Sequence, residues 1–512
     1  MKNHIYFLLA LLFTAPCFSQ ISETEVDALA EKTLKAFNIP GIAIAIVKDG
    51  KIIHSKGYGV RSIKTNEKVD ANTLFGIASN SKAFTTAALA ILVDEGKVNW
   101  DDKVVKYIPE FKMYNDYVTQ EFTIRDLLTH RSGLGLGAGD LMIWPDGSDF
   151  TAKDIIHNLQ FLKPVSPFRT KFDYDNLLYA VAGKVIEKVS GKSWTDFIEQ
   201  RIMQPLEMKN SAGTFLTLKD TTNVIAPHVP IDGKLKIVRR YTNQILDAAG
   251  GIYSSVNDMS QWMIMQLNKG KYGASLENKI FSEEQQREEM WQLQTIIPTT
   301  TKPPYNSHFS GYGLGWFLSD MKGYKEVTHT GGLEGIVTQT TLYPELNLGI
   351  VVLTNQQAGK GLRAITNTIK NAYLGIEYID YVNLYAQMLK DQNAGVDQAT
   401  TSVWETVNKN GKGAVDFKKY IGTYTDNWFG DITVSEKKGK LYFNSKRSPQ
   451  LAGEIFYYKD NTFVVKWHNR SYDADAFMTF SENNTNIKMK AISEATDFSY
   501  DFQDLDFKLV KK

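Results

Sequence analysis

The chain of 512 residues contains one cysteine, Cys17. It lies in an N-terminal stretch that reads as a cleaved leader, so the mature chain is expected to have none. A disulfide scaffold, a cysteine nucleophile and a thiolate metal site are excluded together. An excess of charge of one sign is missing as well, because 58 Lys and Arg stand against 57 Asp and Glu for a formal net charge of +1. No global field argues for nucleic acid or an anionic membrane surface as a partner. HExxH, an EF-hand loop, a P-loop and a GxGxxG after a strand are all absent, so neither a metal nor a nucleotide cofactor is implied. Nor is there a Gly-x-Ser-x-Gly elbow, which speaks against an α/β-hydrolase. Stability must come from core burial, and this length suffices for two to three domains.

What is present begins with MKNHIYFLLALLFTAPCFSQ. A lysine, an apolar run over residues 5–15 and small residues before Gln20 make the layout of a secretory signal peptide over residues 1–19. The run is too short to span a membrane comfortably. Lipoprotein processing at Cys17 is the alternative, and Pro16 directly before it makes a poor processing site. The protein is expected to be exported, to a periplasm or outside the cell, with no transmembrane segment once the leader is removed.

Residues 22–36 have helical apolar spacing, and GIAIAIVKDGKIIHSKGYGV reads as two strands around the turn Asp49-Gly50. From 97 to 320, helical pieces (residues 124–128, 178–189 and 258–267) alternate with long polar, Gly- and Pro-containing connections, where a cleft is usually built. After Tyr312 the runs GLGWFLSD, EVTHTGG, IVTQTTLY and LGIVVLTN read as successive strands. Strands at both ends of a helical middle predict an α+β domain over residues 20–376. In it one antiparallel sheet is made from both termini, with a helical subdomain beside it. Residues 377–413 are polar and helix-prone and read as a linker. Residues 414–512 consist of short alternating runs separated by turn residues, the pattern of a small all-β barrel or sandwich.

The chemistry starts at FGIASNSKAFTTAAL, residues 75–89. Ser79 and Lys82 are three apart, hence on one face of a helix. A desolvated lysine there can lose its proton and accept one from the serine. Ser319 with Lys322 and Ser435 with Lys438 share the spacing, but both fall in turns where a lysine is solvated. Only Ser79 opens an apolar helix. Capping of that helix by Ser79, Asn80 or Ser81 is the competing reading. Tyr174-Asp175-Asn176 leads into the helix predicted at 178–189; a phenol there can relay protons and the Asn amide can hold a substrate carbonyl. Its alternative is a Tyr packed under a helix start. His329-Thr330-Gly331-Gly332 falls on a predicted strand, where glycines would let a substrate lie along the backbone. His329 could orient a polar or anionic substrate group, or it is simply a hydrogen-bonded core residue.

Taken in this order, SxxK, YxN and HxG resemble the motifs of serine hydrolases related to class C β-lactamases, penicillin-binding D,D-peptidases and D-aminopeptidases. The resemblance continues in TIRDLLTHRSGL (123–134), AAGGIYSSVNDMSQWM (248–263) and HTGGLEGIVTQTTLYPELNLGIVVLTN (329–355), and spans about residues 25–376. The last hundred residues are similar to the lipocalin-like barrel domains that follow such domains. The resemblance implies a β-lactamase/transpeptidase-like fold. It makes Ser79 the acylated nucleophile, gives Lys82 and Tyr174 the base and acid roles, and lets Asn176 hold the substrate amide. His329 would touch the substrate's carboxylate or the tyrosine, and Thr330, Gly331 and Gly332 would line the substrate. The N–H groups of Ser79 and Gly332 would form the oxyanion hole, and Ser81 matches no catalytic position. The departure is histidine where many relatives carry lysine. Histidine is mostly neutral at pH 7, which favours an esterase or aminopeptidase-like hydrolase of a small-molecule or peptide substrate over a true β-lactamase. A Ser-His-Asp triad through His329 or His130 is the mechanistic rival, although His130 reads better as a residue fixing a loop. A non-catalytic protein that binds a cell-wall or polysaccharide ligand is the functional one.

Overall fold

The alternation of Ile and Ala in GIAIAIVK decides how the molecule is layered. In a computed structural model of the protein, residues 20–411, 416–472 and 474–511 are described. The signal peptide expected at 1–19, Cys17 included, lies outside the described residues. The first hairpin is β1 (Gly41–Lys48) and β2 (Lys51–Gly59), turned by Asp49 and Gly50, both left-handed at φ 51° and 73°. That two-residue geometry suits the twist of antiparallel strands. Six further strands complete the sheet: β3 (Thr295–Ile296), β4 (Ser310–Tyr312), β5 (Phe317–Met321), β6 (Tyr324–Leu333), β7 (Ile336–Tyr343) and β8 (Leu348–Thr354). Their order is β2-β1-β8-β7-β6-β5-β4-β3. N-terminal β1 therefore pairs with β8, Ile44 opposite Val352, and the sheet is made from both ends of the domain as expected.

The longer helices are α1 (Glu23–Phe37), α2 (Ser81–Asp94), α3 (Leu177–Ser190), α4 (Val256–Leu267), α5 (Gly359–Tyr373) and α6 (Tyr381–Asn410). Successive strand side chains point to opposite faces. Ile42, Ile44 and Ile46 of β1 join Ile350 and Val352 in one core with residues of α1 and α5. Ala43, Ala45, Val47, Val351 and Leu353 face the other core, with α2 and α4. The small side chains on that face let α4 approach closely: a Cβ on Gly349 would sit 3.0 Å from the Met263 sulfur. α2 is buried from Ser81 to Leu92, as a helix apolar all round must be. Phe84 stacks on Trp262 of α4 with centroids 3.8 Å apart.

Two predicted boundaries shift for local reasons. GLGW is not strand but the connection between β4 and β5, with Gly315 at φ 80°. A Cβ on Gly315 would meet Thr86 Oγ1 at 2.6 Å and the Lys82 carbonyl at 3.0 Å, so this tip presses on α2 directly behind Lys82. And α2 begins at Ser81, with Ser79 in the preceding 3-10 turn Ala78–Asn80.

The C-terminal domain is a closed antiparallel barrel of eight strands running from Gly422–Asp426 to Asp506–Lys511. Its interior is filled by side chains such as Phe443, Trp467 and Phe480. α6 occupies the segment read as a linker, and Asn410 donates to the Tyr458 carbonyl at 2.6 Å. The barrel also docks on the helical region. Arg447 bridges Asp149 (2.7 Å) and Asp154 (2.9 Å), and Asn158 donates to the Trp428 carbonyl at 2.8 Å. Among the described residues no helix is long and apolar enough to cross a membrane.

Trp262→Ala removes the ring on which Phe84 stacks and leaves a cavity between α2 and α4. It is expected to cost about 3–5 kcal/mol, read as a lowered urea midpoint and melting temperature. A loss below about 1 kcal/mol would show that this stack does not seat α2.

Candidate active site

The turn before α2 is held in a conformation that alanine does not favour. Ala78 lies at φ 52°, a region that costs a non-glycine residue free energy. The surroundings fix it. Thr338 Oγ1 donates to the Ile77 carbonyl at 2.8 Å, Asn80 Nδ2 donates to the same carbonyl at 3.1 Å, and Ile77 N–H reaches the Ile252 carbonyl at 2.8 Å. A 3-10 turn has three residues per turn, so Ser79 comes to lie above Lys82.

Lys82 is fully buried. Its Nζ lies 3.1 Å from Ser79 Oγ, 2.7 Å from Asn176 Oδ1 and 3.0 Å from the Ala249 carbonyl. Burial drives its pKa down to about 7, against the pull of the nearby Asp140 and Asp175. The amine is thus available in its neutral form near neutral pH, within reach of the serine hydroxyl. Beside it the Tyr174 ring centroid lies 4.8 Å from Nζ, and the Tyr174 phenol approaches Ser79. Burial holds that phenol well above its ordinary pKa, so it stays protonated.

Asn176, at the start of α3, accepts from Lys82 and donates to Asp140 Oδ2 at 2.8 Å. Its observed contacts position the lysine. His130, at φ 53°, lays its ring 4.1 Å from that of Tyr174 and accepts the Asp175 N–H at Nδ1, 3.1 Å. It fixes the loop that carries Tyr174, as its sequence context suggested. Ser81 Oγ accepts the Ile252 N–H at 3.2 Å and is buried, a structural role. In the two other SxxK sequences the lysines, Lys322 and Lys438, are exposed.

His329 is buried and faces Tyr312, whose hydroxyl lies 2.9 Å from Nε2. Nδ1 faces the Thr330 carbonyl at 2.5 Å. Burial first, and then the charge of Lys82, push its pKa down to about 3, so the ring is neutral. Its centroid is 6.2 Å from that of Tyr174. With both nitrogens engaged, no free ring nitrogen points at a substrate carboxylate. Neither His130 nor His329 has a carboxylate partner, so the triad reading is not assembled.

Gly331 also differs from its sequence reading, because the chain that approaches it is the protein's own. A Cβ there would lie 2.4 Å from the Ile77 carbonyl and 2.9 Å from Ala78 Cβ. The glycine is what allows β6 to press against the Ser79 turn. Gly332 has nothing within 4 Å of its Cβ position, and both it and Thr330 are exposed. Pairing of β5 with β6 stops at Phe317 and Thr328, so among the described residues no strand pairs with residues 329–333 on that side. Sequence reasoning missed Asp140, Tyr312 and the Ala249 carbonyl. The first stands alone in a glycine-rich loop and the last is backbone, so neither carries a local signal. No group of three or more His, Cys, Asp or Glu that could hold a metal gathers among the described residues.

Comparison with known proteins identifies the family and the fold. The family model described as Beta-lactamase matches residues 26–373, and one described as a domain of unknown function, DUF3471, matches residues 408–509. The unguisins hydrolase ungD of Aspergillus violaceofuscus is 26% identical over 80% of this chain and 76% of its own. Protein flp of Staphylococcus aureus is 30% identical over 65% of this chain and 63% of its own. Among solved structures, the octameric penicillin-binding protein homologue from Pyrococcus abyssi superposes with a TM-score of 0.61 at 22% identity, covering 95% of this chain and 100% of that one. A class C beta lactamase from Rhodobacter sphaeroides gives a TM-score of 0.54 at 18% identity over 68% of this chain and 99% of that one. At those identities the likeness is one of fold.

Gly331→Ala is expected to push β6 off the Ile77 carbonyl and to lower kcat/KM by about a hundredfold or more, since displacements near 1 Å at reacting groups cost that much. Steady-state kinetics on a chromogenic ester would measure it. Retention of more than half the activity would show that the close approach is dispensable.

Proposed function

The chain belongs to the Beta-lactamase family and is a serine hydrolase of the β-lactamase-related type, and on that premise we propose that Ser79 attacks an ester or amide carbonyl with Lys82 as base and Tyr174 as proton relay. The observation that carries this reading is the buried Lys82 Nζ, 3.1 Å from Ser79 Oγ. Neutral Lys82 takes the hydroxyl proton as Oγ bonds to the acyl carbon. The carbonyl oxygen gains the negative charge, towards the backbone N–H groups of Ser79 and Gly332. The proton passes through the Tyr174 phenol to the leaving oxygen or nitrogen as its bond to the acyl carbon breaks. Water then attacks the acyl-enzyme by the reverse proton path, releasing the acid and restoring Ser79.

The favoured substrates are esters or aminopeptidase-like amides rather than β-lactams. A β-lactam or a D-Ala-D-Ala peptide brings a carboxylate, and a fixed cation beside the cleft is the natural partner for it. His329 is neutral and bound to Tyr312, so it offers no such charge.

A fluorophosphonate probe should label the wild type at Ser79, and Ser79→Ala should abolish labelling and lower esterase turnover by at least about a thousandfold. Undiminished labelling of the variant would remove Ser79 from the mechanism. The pH profile gives an independent check. Protonated Lys82 cannot accept a proton, so kcat/KM should fall about tenfold per unit below pH 7, reach half its maximum near pH 7 and level off above it. A flat profile between pH 5 and 9 would assign the base to another group.

A further inference from the structure

The barrel reaches residues around Tyr174 and Asp140 through the segment between its strands Asn486–Ala491 and Asp506–Lys511. Three consecutive contacts there involve residues of the site. Phe498 sets its ring edge-on against Tyr174, centroids 5.8 Å apart at 77°. Ser499 approaches the carboxyl of Asp140. Asp501, fully buried, accepts the N–H of Gly139 at 2.6 Å and of Leu141 at 3.0 Å. The fit is close. A Cβ on Gly137 would meet the Phe498 carbonyl at 2.6 Å and its ring at 2.8 Å, and Gly137 N–H itself donates to the Tyr174 carbonyl at 2.8 Å.

Phe498 is nonetheless 39% exposed, and Leu136, next to Gly137, is 45% exposed. An exposed apolar ring thus stands against Tyr174, with a second exposed apolar residue adjoining Gly137, on which the Phe498 backbone packs. In the proposed reaction the oxyanion lies towards Gly332 and the leaving atom lies at the Tyr174 hydroxyl. A group attached to the leaving atom extends past the Tyr174 ring, where Phe498 stands.

We propose that Phe498, contributed by the barrel, is a specificity-determining residue that selects substrates with an aromatic or bulky aliphatic group on the leaving side of the scissile bond. This rests on the assignment of Ser79 and Tyr174 above. The barrel is then part of the active site, and the leaving group binds between Phe498 and Leu136. The acyl group, on the far side of the carbonyl carbon, is not read by this wall.

The test compares ethyl acetate with 2-phenylethyl acetate, which form the same acetyl-enzyme from alcohols of similar acidity, using wild type, Phe498→Ala and Phe498→Leu in a pH-stat. Because the ring is partly exposed, neither substitution opens a core cavity. Phe498→Ala is expected to lower kcat/KM about tenfold for the phenylethyl ester, in the range that a lost apolar pocket contact commands, and less than about twofold for the ethyl ester. Phe498→Leu should keep most of the preference. Equal changes for both esters, or none for either, overturn the inference. So does a wild type that is labelled by fluorophosphonate yet turns over neither ester. A wild type that is not labelled at all overturns the hydrolase reading instead, and this inference with it.

Discussion

The structure depends on one costly act, the burial of the Lys82 amine. Moving its pKa from 10.5 to about 7 corresponds to about 5 kcal/mol that the fold forgoes whenever the lysine is protonated. The penalty is complete below pH 7, where folded and unfolded chains both hold the proton; it shrinks as pH rises between the two values and vanishes above the unfolded one, where neither holds it. Such a cost is sustained only by a scaffold that leaves the amine nowhere else to go. α2 is apolar on every side, the tip at Gly315 closes it from behind, and α4 stacks Trp262 on it through Phe84. The three acceptors around Nζ satisfy its donors without neutralising it. Asp140 and Asp175 are near enough to draw its pKa upward, and burial outweighs them.

The same constraint explains the strain just upstream. Ser79 must face Lys82 from a turn, so Ala78 takes a left-handed conformation and Ile77 turns its carbonyl inward, where Thr338 and Asn80 hold it. β6 can then lie against the turn only through a residue without a side chain. Gly331 is therefore bound to the geometry of Ser79, and its neighbour Gly332 is left free at the open strand edge. His329, on the same strand, is neutral and faces Tyr312, so β6 contributes backbone and shape to the cleft and no charge.

Much of this was legible in the sequence, for physical reasons. The apolar runs on either side of Asp49-Gly50 declared the first hairpin, and the apolar stretch after Ser81 declared a buried helix. The context of Ser79, at the head of that helix, separated it from two SxxK sequences in exposed turns. What stayed hidden came from long loops. Asp140 acts through Asn176, 36 residues away, and no spacing rule predicts a contact that two loops make only when packed. The part of Gly331 was misread because a sequence can announce that something approaches a glycine without saying what. The contacts of Phe498 and Asp501 were out of reach altogether, since they join two domains.

Those two domains are linked by more than docking. Asp501 of the barrel accepts the N–H groups on either side of Asp140; Asp140 accepts from Asn176; Asn176 accepts from Lys82. Each bond fixes the next donor, so the path runs unbroken from the barrel to the amine beside Ser79. The 139–141 turn has no regular helix or strand to define it beyond a single 3-10 turn, and buried backbone N–H groups must find acceptors somewhere. Asp501 supplies two of them. A buried carboxylate is costly unless it is hydrogen-bonded, which ties the barrel to this turn as firmly as it ties the turn to the barrel. The catalytic domain is thus completed by the barrel at the point where its own chain is least able to hold a shape.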